Sequence, residues 1–199
     1  MQVHSSVEAG DKHLLSIPGL EYSIELPLVS VARNGRKLRI ASLNLSGQIS
    51  LNRALGELLA QRIQKEIGDL QGVAMLTVVE RSLQLTQVVA ESLGFEAVAV
   101  AYNRVKPHME ASSRPVIQVG VDSITSGAKY LCLYERDIAL LSNASKGIII
   151  VDDVLSTGGT IYGLEQLLEE VMRHVGQAVP PIRGIFCVAG EGAPAYELN

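Results

Sequence analysis

The segment Gly147 to Thr160, GIIIVDDVLSTGGT, constrains the fold more than any other part of the chain. Its opening GIIIV carries no polar side chain, which suits a strand covered on both faces, and such strands belong to parallel sheets with helices on either side. Asp152 and Asp153 follow directly. Then come Ser156, Thr157 and Thr160 with Gly158 and Gly159 among them, and from Thr160 a helix is expected with the apolar stripe Leu164, Leu167, Leu168, Val171 and Val175. Strand, glycine-rich turn and helix in this order are the building unit of open α/β sheets, whose ligands bind at the carboxyl ends of the strands.

The residue types in the turn point to an anion. Three hydroxyls can donate, the two glycines let the backbone approach without a Cβ, and the helix behind them aims free N–H groups and the positive end of its dipole at the same place. A phosphate dianion suits that cradle. The two aspartates would repel a phosphate in contact with them, so they suit a neutral polyol or a cation bound beside it. A sugar phosphate satisfies both halves. The bland alternative is a plain turn with an N-cap and a solvated strand end.

Elsewhere the chain alternates. Residues 24 to 33 and 37 to 43 flank Asn34-Gly35, which favours a tight hairpin. Ser50 is expected to cap a helix striped by Leu51, Ala54, Leu55, Leu58, Leu59, Ile63 and Ile67. GVAMLTVV (72 to 79), a helix from Leu83 to Leu93 and FEAVAVAY (95 to 102) read as a parallel crossover. The polar stretch 103 to 115 leads as a long mobile loop into a second hairpin, VIQVGV and YLCLYE around the turn 122 to 129. With RGIFCVAG (183 to 190) last, the expected fold is α/β, an open and mainly parallel sheet of about five strands flanked by helices.

Composition narrows the function. At 199 residues and 47% hydrophobic, the chain can bury the core of one domain, alone or with a small appendage. A net charge of -4, no tryptophan and 4% aromatics argue against nucleic acid as a partner. No stretch reaches the ~18 to 20 apolar residues of a membrane span, and no leader pattern opens the chain, so a soluble, cytoplasmic protein is expected. Cys132 and Cys187 sit in apolar runs, as buried reduced thiols do. Tyr162 and the methionines are expected to pack inside. The four histidines lack paired spacing, and no GxSxG, Walker A or GxGxxG motif is present, so zinc, a hydrolase triad and a dinucleotide fold have no support.

The run Ile148 to Thr160 resembles, at every position, the signature of the type I phosphoribosyltransferases: a hydrophobic run, two acids, then Thr-Gly-Gly-Thr. The order of the other elements agrees over roughly residues 40 to 190. The resemblance implies that Val154, Leu155, Ser156, Thr157, Gly158, Gly159 and Thr160 surround the 5-phosphate of 5-phosphoribosyl 1-pyrophosphate, and that Asp152 and Asp153 take the ribose hydroxyls. It also implies Mg2+ held through the ligand, with the same two acids as the protein groups open to it.

Within that family the chain is most similar to the adenine and xanthine enzymes. There a strand like MLTVVE leads into a pyrophosphate loop, here Glu80, Arg81, Ser82 and Leu83, and on to a helix like LTQVVAESLG. The chain departs from the pattern at Leu83, near which the family has a glycine. The stretch Asn103 to Pro107 is similar to the basic element of purine enzymes, so that Arg104 and Lys106 neutralise the leaving pyrophosphate; read without the resemblance, they are ordinary solvated charges. Residues 108 to 126, within a span of about 103 to 128, correspond to the flap that closes over the site, with Glu110 and Arg114 as candidates. A hood built from about 14 to 45 and 186 to 199 selects the base.

The implied activity is transfer of phosphoribose to a purine in salvage, by a homodimer that takes small-molecule substrates only. Two alternatives stand beside it. One is a regulatory protein that binds phosphoribosyl pyrophosphate or a nucleotide without turnover, which Leu83 favours. The other is orotate transfer, weakened by a basic loop poor in lysine.

Overall fold

Alternation of exposed and buried side chains builds the first of two units, Met1–Asn44. Strands β1 (Val7–Leu15), β2 (Ile24–Arg33) and β3 (Arg36–Ala41) form one antiparallel sheet in that order. In β2, Ile24 and Leu26 are buried on either side of exposed Glu25, the pattern of a sheet with one covered face. The β2–β3 hairpin is the expected one, with Arg33 opposite Arg36. The structure, a computed structural model, describes residues 7–33, 36–105, 117–123, 127–156 and 158–190, so Asn34 and Gly35 lie outside the described residues. Strand β1 has no apolar alternation to announce it. It is held by backbone pairing and by cross-strand charges, Lys12 with Glu25 and Asp11 with Arg39 at 2.7 Å.

The second unit, Leu45–Asn199, contains α1 (Ile49–Ile67), β4 (Val73–Val78), α2 (Leu83–Leu93), β5 (Ala99–Ala101), β6 (Ile117–Ser123), β7 (Gly127–Leu133), α3 (Glu135–Ser142), β8 (Gly147–Leu155), α4 (Gly159–Val175) and β9 (Ile182–Gly190). Strands β5-β4-β8-β9 form a sheet in that order, every pair parallel. Its centre is apolar through and through. Ala74, Leu76, Ile148 and Ile150 join one cluster with Ile161, Leu164, Leu167, Leu168 and Val171 of α4 and Ile138 and Leu141 of α3. Met75 and Ile149, which alternate with them, are fully buried as well, and α2 packs on β4 and β8. A continuous apolar run in β8 is what burial on both faces requires. No helix among the described residues is long and apolar enough to cross a membrane.

Several boundaries differ from the sequence reading. The described parallel sheet has four strands where about five were expected, while β6 and β7 form the expected second hairpin, antiparallel and paired with each other. That hairpin meets the sheet's edge through one bridge, Tyr102 with Cys132, whose two N–H···O bonds are both 2.8 Å. β5 is shorter than the run 95 to 102, since the Phe95 amide is spent on Ala90 O in the left-handed cap at Gly94. Ser50 is not the cap of α1; the helix starts at Ile49 after Gln48, and Asn52 Nδ2 ties the preceding turn by donating to Leu45 O at 2.6 Å and Gln48 O at 2.9 Å. Helix α3 is too short for its period to repeat. Tyr162 is 56% exposed, not packed, because it follows Ile161 by about 100° around the helix and so leaves the buried stripe. Met75 and Met172 are buried as expected.

Candidate functional site

The sheet order locates the site before any side chain is considered. From β4 the chain crosses through α2 to β5 on one side, then returns to place β8 on the other side of β4. Connections therefore diverge between β4 and β8, and at their carboxyl ends lies the crevice where open α/β sheets bind ligands. Into it run the turn from β4 to α2, the last residues of β8 and the amino end of α4.

β8 continues through Asp152 and Asp153 to Leu155, so the acids stand on a strand rather than in the turn. Asp152 sits opposite Cys187 of β9. Each carboxylate accepts from the next backbone amide, Asp152 Oδ1 from Asp153 N at 2.8 Å and Asp153 Oδ1 from Val154 N at 2.9 Å. Asp153 is buried, and its Oδ2 has no hydrogen-bond partner among the described residues. Burial, and next the charge of Asp153, push the Asp152 carboxyl up to about 7. Burial also raises the Cys187 thiol, which keeps it protonated.

The turn after β4 approaches the acids from the neighbouring strand. Arg81 Nε lies 3.2 Å from Asp153 Oδ2, an ion pair that lacks hydrogen-bond geometry. The peptide Val79–Glu80 is cis, and the Val79 amide donates to Ala101 O at 3.0 Å. Beneath the turn, Thr77, Ser82 and Thr86 bring three hydroxyls together, each residue 1% exposed. Thr77 Oγ1 donates to Val151 O at 2.8 Å; Ser82 Oγ has Val78 O at 2.6 Å and Thr77 Oγ1 at 2.9 Å within reach of its one proton, and Thr86 Oγ1 has Ser82 O at 2.8 Å and Thr77 Oγ1 at 3.0 Å within reach of its own.

The phosphate-type turn is compact. Gly158 is buried with φ 81°, a left-handed conformation that favours glycine, and it is the N-cap of α4, which begins at Gly159 rather than Thr160. Gly158 brings no side chain of its own to cap this end, and its carbonyl enters the helix ladder, accepting from Tyr162 N at 3.0 Å, as the helix starts at the carboxyl end of β8. Val154, Leu155 and Ser156 are half-buried and Thr160 is exposed.

The sequence-predicted residues are thus brought together in part. Arg81 meets Asp153 beyond the paired residues of two adjacent strands, with Ser82 and Asp152 next to them in the chain, and the turn Ser156 to Thr160 follows directly on the second strand. Glu80 and Arg104 are exposed, and Arg104 makes no hydrogen bond or ion pair with another described residue. Thr157, Lys106, Glu110 and Arg114 lie outside the described residues. The sequence reading missed Thr77 and Thr86; their signal was a pair of polar residues in otherwise apolar runs. No cluster of three or more metal-ligating side chains occurs among the described residues. Two carboxylates without a third fit a hard cation that keeps most of its ligands from water and phosphate oxygens, rather than a protein cage.

This fold and site define a class: open α/β proteins with an acid pair and a glycine-containing turn at the switch point of a parallel sheet. The family model described as the phosphoribosyl transferase domain matches residues 47–180, and the chain belongs to that family of phosphoribosyltransferase enzymes. No curated protein matches the chain. Among solved structures it is similar to the adenine phosphoribosyltransferase of Giardia lamblia complexed with 9-deazaadenine, at 18% identity and TM-score 0.50, over 83% of this chain and 94% of that one. It is likewise similar to the adenine phosphoribosyltransferase of Thermoanaerobacter pseudethanolicus, at 15% identity and TM-score 0.52, over 82% and 95% of the two chains. Likeness at these identities carries the fold.

Proposed function

We propose that the protein transfers phosphoribose from 5-phosphoribosyl 1-pyrophosphate to a ring nitrogen of a purine of the adenine or xanthine type, releasing pyrophosphate. The observation that carries this reading is the approach of Arg81 to Asp153, which joins a basic turn to an acid pair across the switch point. In the proposed reaction the ribose C1–oxygen bond breaks, its electron pair leaves with pyrophosphate, and a C1–nitrogen bond forms. Ser156 to Thr160 and the amino end of α4 hold the 5-phosphate. Asp152 and Asp153 accept from the ribose hydroxyls, fixing C1 between leaving group and base. Arg81 and Ser82, with Glu80 beside them, meet the pyrophosphate, and Arg104 and Lys106 add positive charge where negative charge grows. Mg2+, when bound with the substrate, would neutralise pyrophosphate charge, with Asp152 and Asp153 as the groups near its water shell. Base choice is assigned to a hood of residues 14–45 and 186–199, and closure to a flap at 103–128. A homodimer working in the cytoplasm on small molecules completes the proposal.

The test is pyrophosphate release from phosphoribosyl pyrophosphate and Mg2+ with a panel of purines and pyrimidines. Release with adenine or xanthine is expected. Release with orotate alone would move the substrate to the pyrimidines. Binding without release from any base would leave the regulatory role that Leu83, the first residue of α2, favours.

A further inference from the structure

We infer that Thr77 is a positioning residue that sets the distance between the pyrophosphate turn and the ribose acids; this rests on the phosphoribosyl reading above. Thr77 occupies a core position of β4, 1% exposed within the run VAMLTV, where valine would pack as well and cost no hydroxyl desolvation. The strands do not need that hydroxyl to pair, since β4 and β8 are already in register from Val73 with Gly147 to Thr77 with Val151.

What the hydroxyl adds is a tie between two site elements. It donates to Val151 O, the residue before Asp152, and stands 2.9 Å from Ser82 Oγ, the residue after Arg81. Thr86 Oγ1, from the first turns of α2, reaches Thr77 Oγ1 at 3.0 Å. Arg81, Ser82, Thr77, Val151, Asp152 and Asp153 therefore close a ring of covalent, hydrogen-bond and ion-pair links that returns to Arg81. Three buried hydroxyls whose partners are all internal hold their geometry firmly, because each lost bond leaves a buried polar group unpaired. The ring's exposed member is Arg81, so its function is to hold that side chain at a set distance from the buried Asp153. The phosphate turn after β8 lies outside the ring.

A ligand pair separates this role from a merely structural one. Ribose 5-phosphate uses the phosphate turn and the acids, whereas phosphoribosyl pyrophosphate also needs the Arg81 turn at the right distance. Calorimetry with Mg2+ present should show Thr77→Val weakening phosphoribosyl pyrophosphate about tenfold while ribose 5-phosphate changes by less than about twofold. Thr77→Ser, which keeps the hydroxyl, should bind both within about twofold of wild type. Should Thr77→Val fail to unfold cooperatively, Thr86→Val is measured instead and should show the same selective loss to a smaller degree. The inference is overturned by equal losses for both ligands, by no loss, or by Thr77→Ser behaving like Thr77→Val. Wild-type protein that binds neither ligand would overturn the phosphoribosyl reading itself, and this inference with it.

Discussion

Arg81 and Asp153 meet with Nε 3.2 Å from Oδ2, the arginine side chain 57% exposed and the aspartate side chain 4%. The two ends of this pair are unequal. The acid is buried without another described partner for that oxygen, while the guanidinium stands mostly in water and can exchange its contact for an arriving anion.

Removing the arginine therefore strands a buried charge. Arg81→Ala should lower stability by roughly 1 to 2 kcal/mol at pH 8, less than a fully buried pair would lose because the arginine is solvated. It should also weaken phosphoribosyl pyrophosphate binding. Urea unfolding and calorimetry report the two effects, and unchanged values in both would remove the pair's significance.

Stability should fall with rising pH through the range set by Asp152. Its carboxyl is raised from the ordinary 3.8 to about 7, so between these values the folded protein keeps a proton that the unfolded chain has released. Where the native state binds more protons, stability declines as pH rises, here from about 4 until the loss is complete above about 7. Asp152→Asn cannot ionise and should be more stable than wild type at pH 8 by up to about 4 kcal/mol, with a flatter profile. Thermal unfolding at pH 5 and pH 8 measures this; an identical slope in wild type and variant would refute it.

Stability and binding should separate at the same acids. Asp152→Asn with Asp153→Asn is expected to abolish calorimetric binding of phosphoribosyl pyrophosphate while cooperative unfolding persists. Retained affinity would remove the site assignment.

Gly158 should matter to both. At φ 81° an alanine Cβ is strained, which costs about 1 kcal/mol or more, and the residue is buried at the amino end of α4. Gly158→Ala should lower the unfolding midpoint and weaken ribose 5-phosphate about tenfold. A variant that binds as wild type would place the phosphate elsewhere.

Much of this was legible because it is local. The GIIIV run implied a strand covered on both faces, and β8 is buried from Gly147 to Val151. The three-to-four stripe faces the core from Leu164 to Val171 as expected, while Val175 in the last turn is 37% exposed, and α2 spans Leu83–Leu93 as its pattern predicts. Elements with little periodicity were not legible: β1 is charged, α3 has only eight residues, and the extension of β8 through the acids depends on β9 lying alongside.

The amino-acid order alone determined the strand, turn and helix that carry Asp152 to Thr160, since burial pattern, glycine freedom and helix periodicity act between near neighbours. It could also name Arg81 as basic and Thr77 as polar. Only the tertiary structure decided that these residues belong together. Val151 and Thr77 are 74 positions apart, and their hydrogen bond exists because β4 and β8 pair in one register. A shift of one residue would turn the threonine to the opposite face. The ring that aims Arg81 at Asp153 is thus a property of strand register, which no single segment encodes.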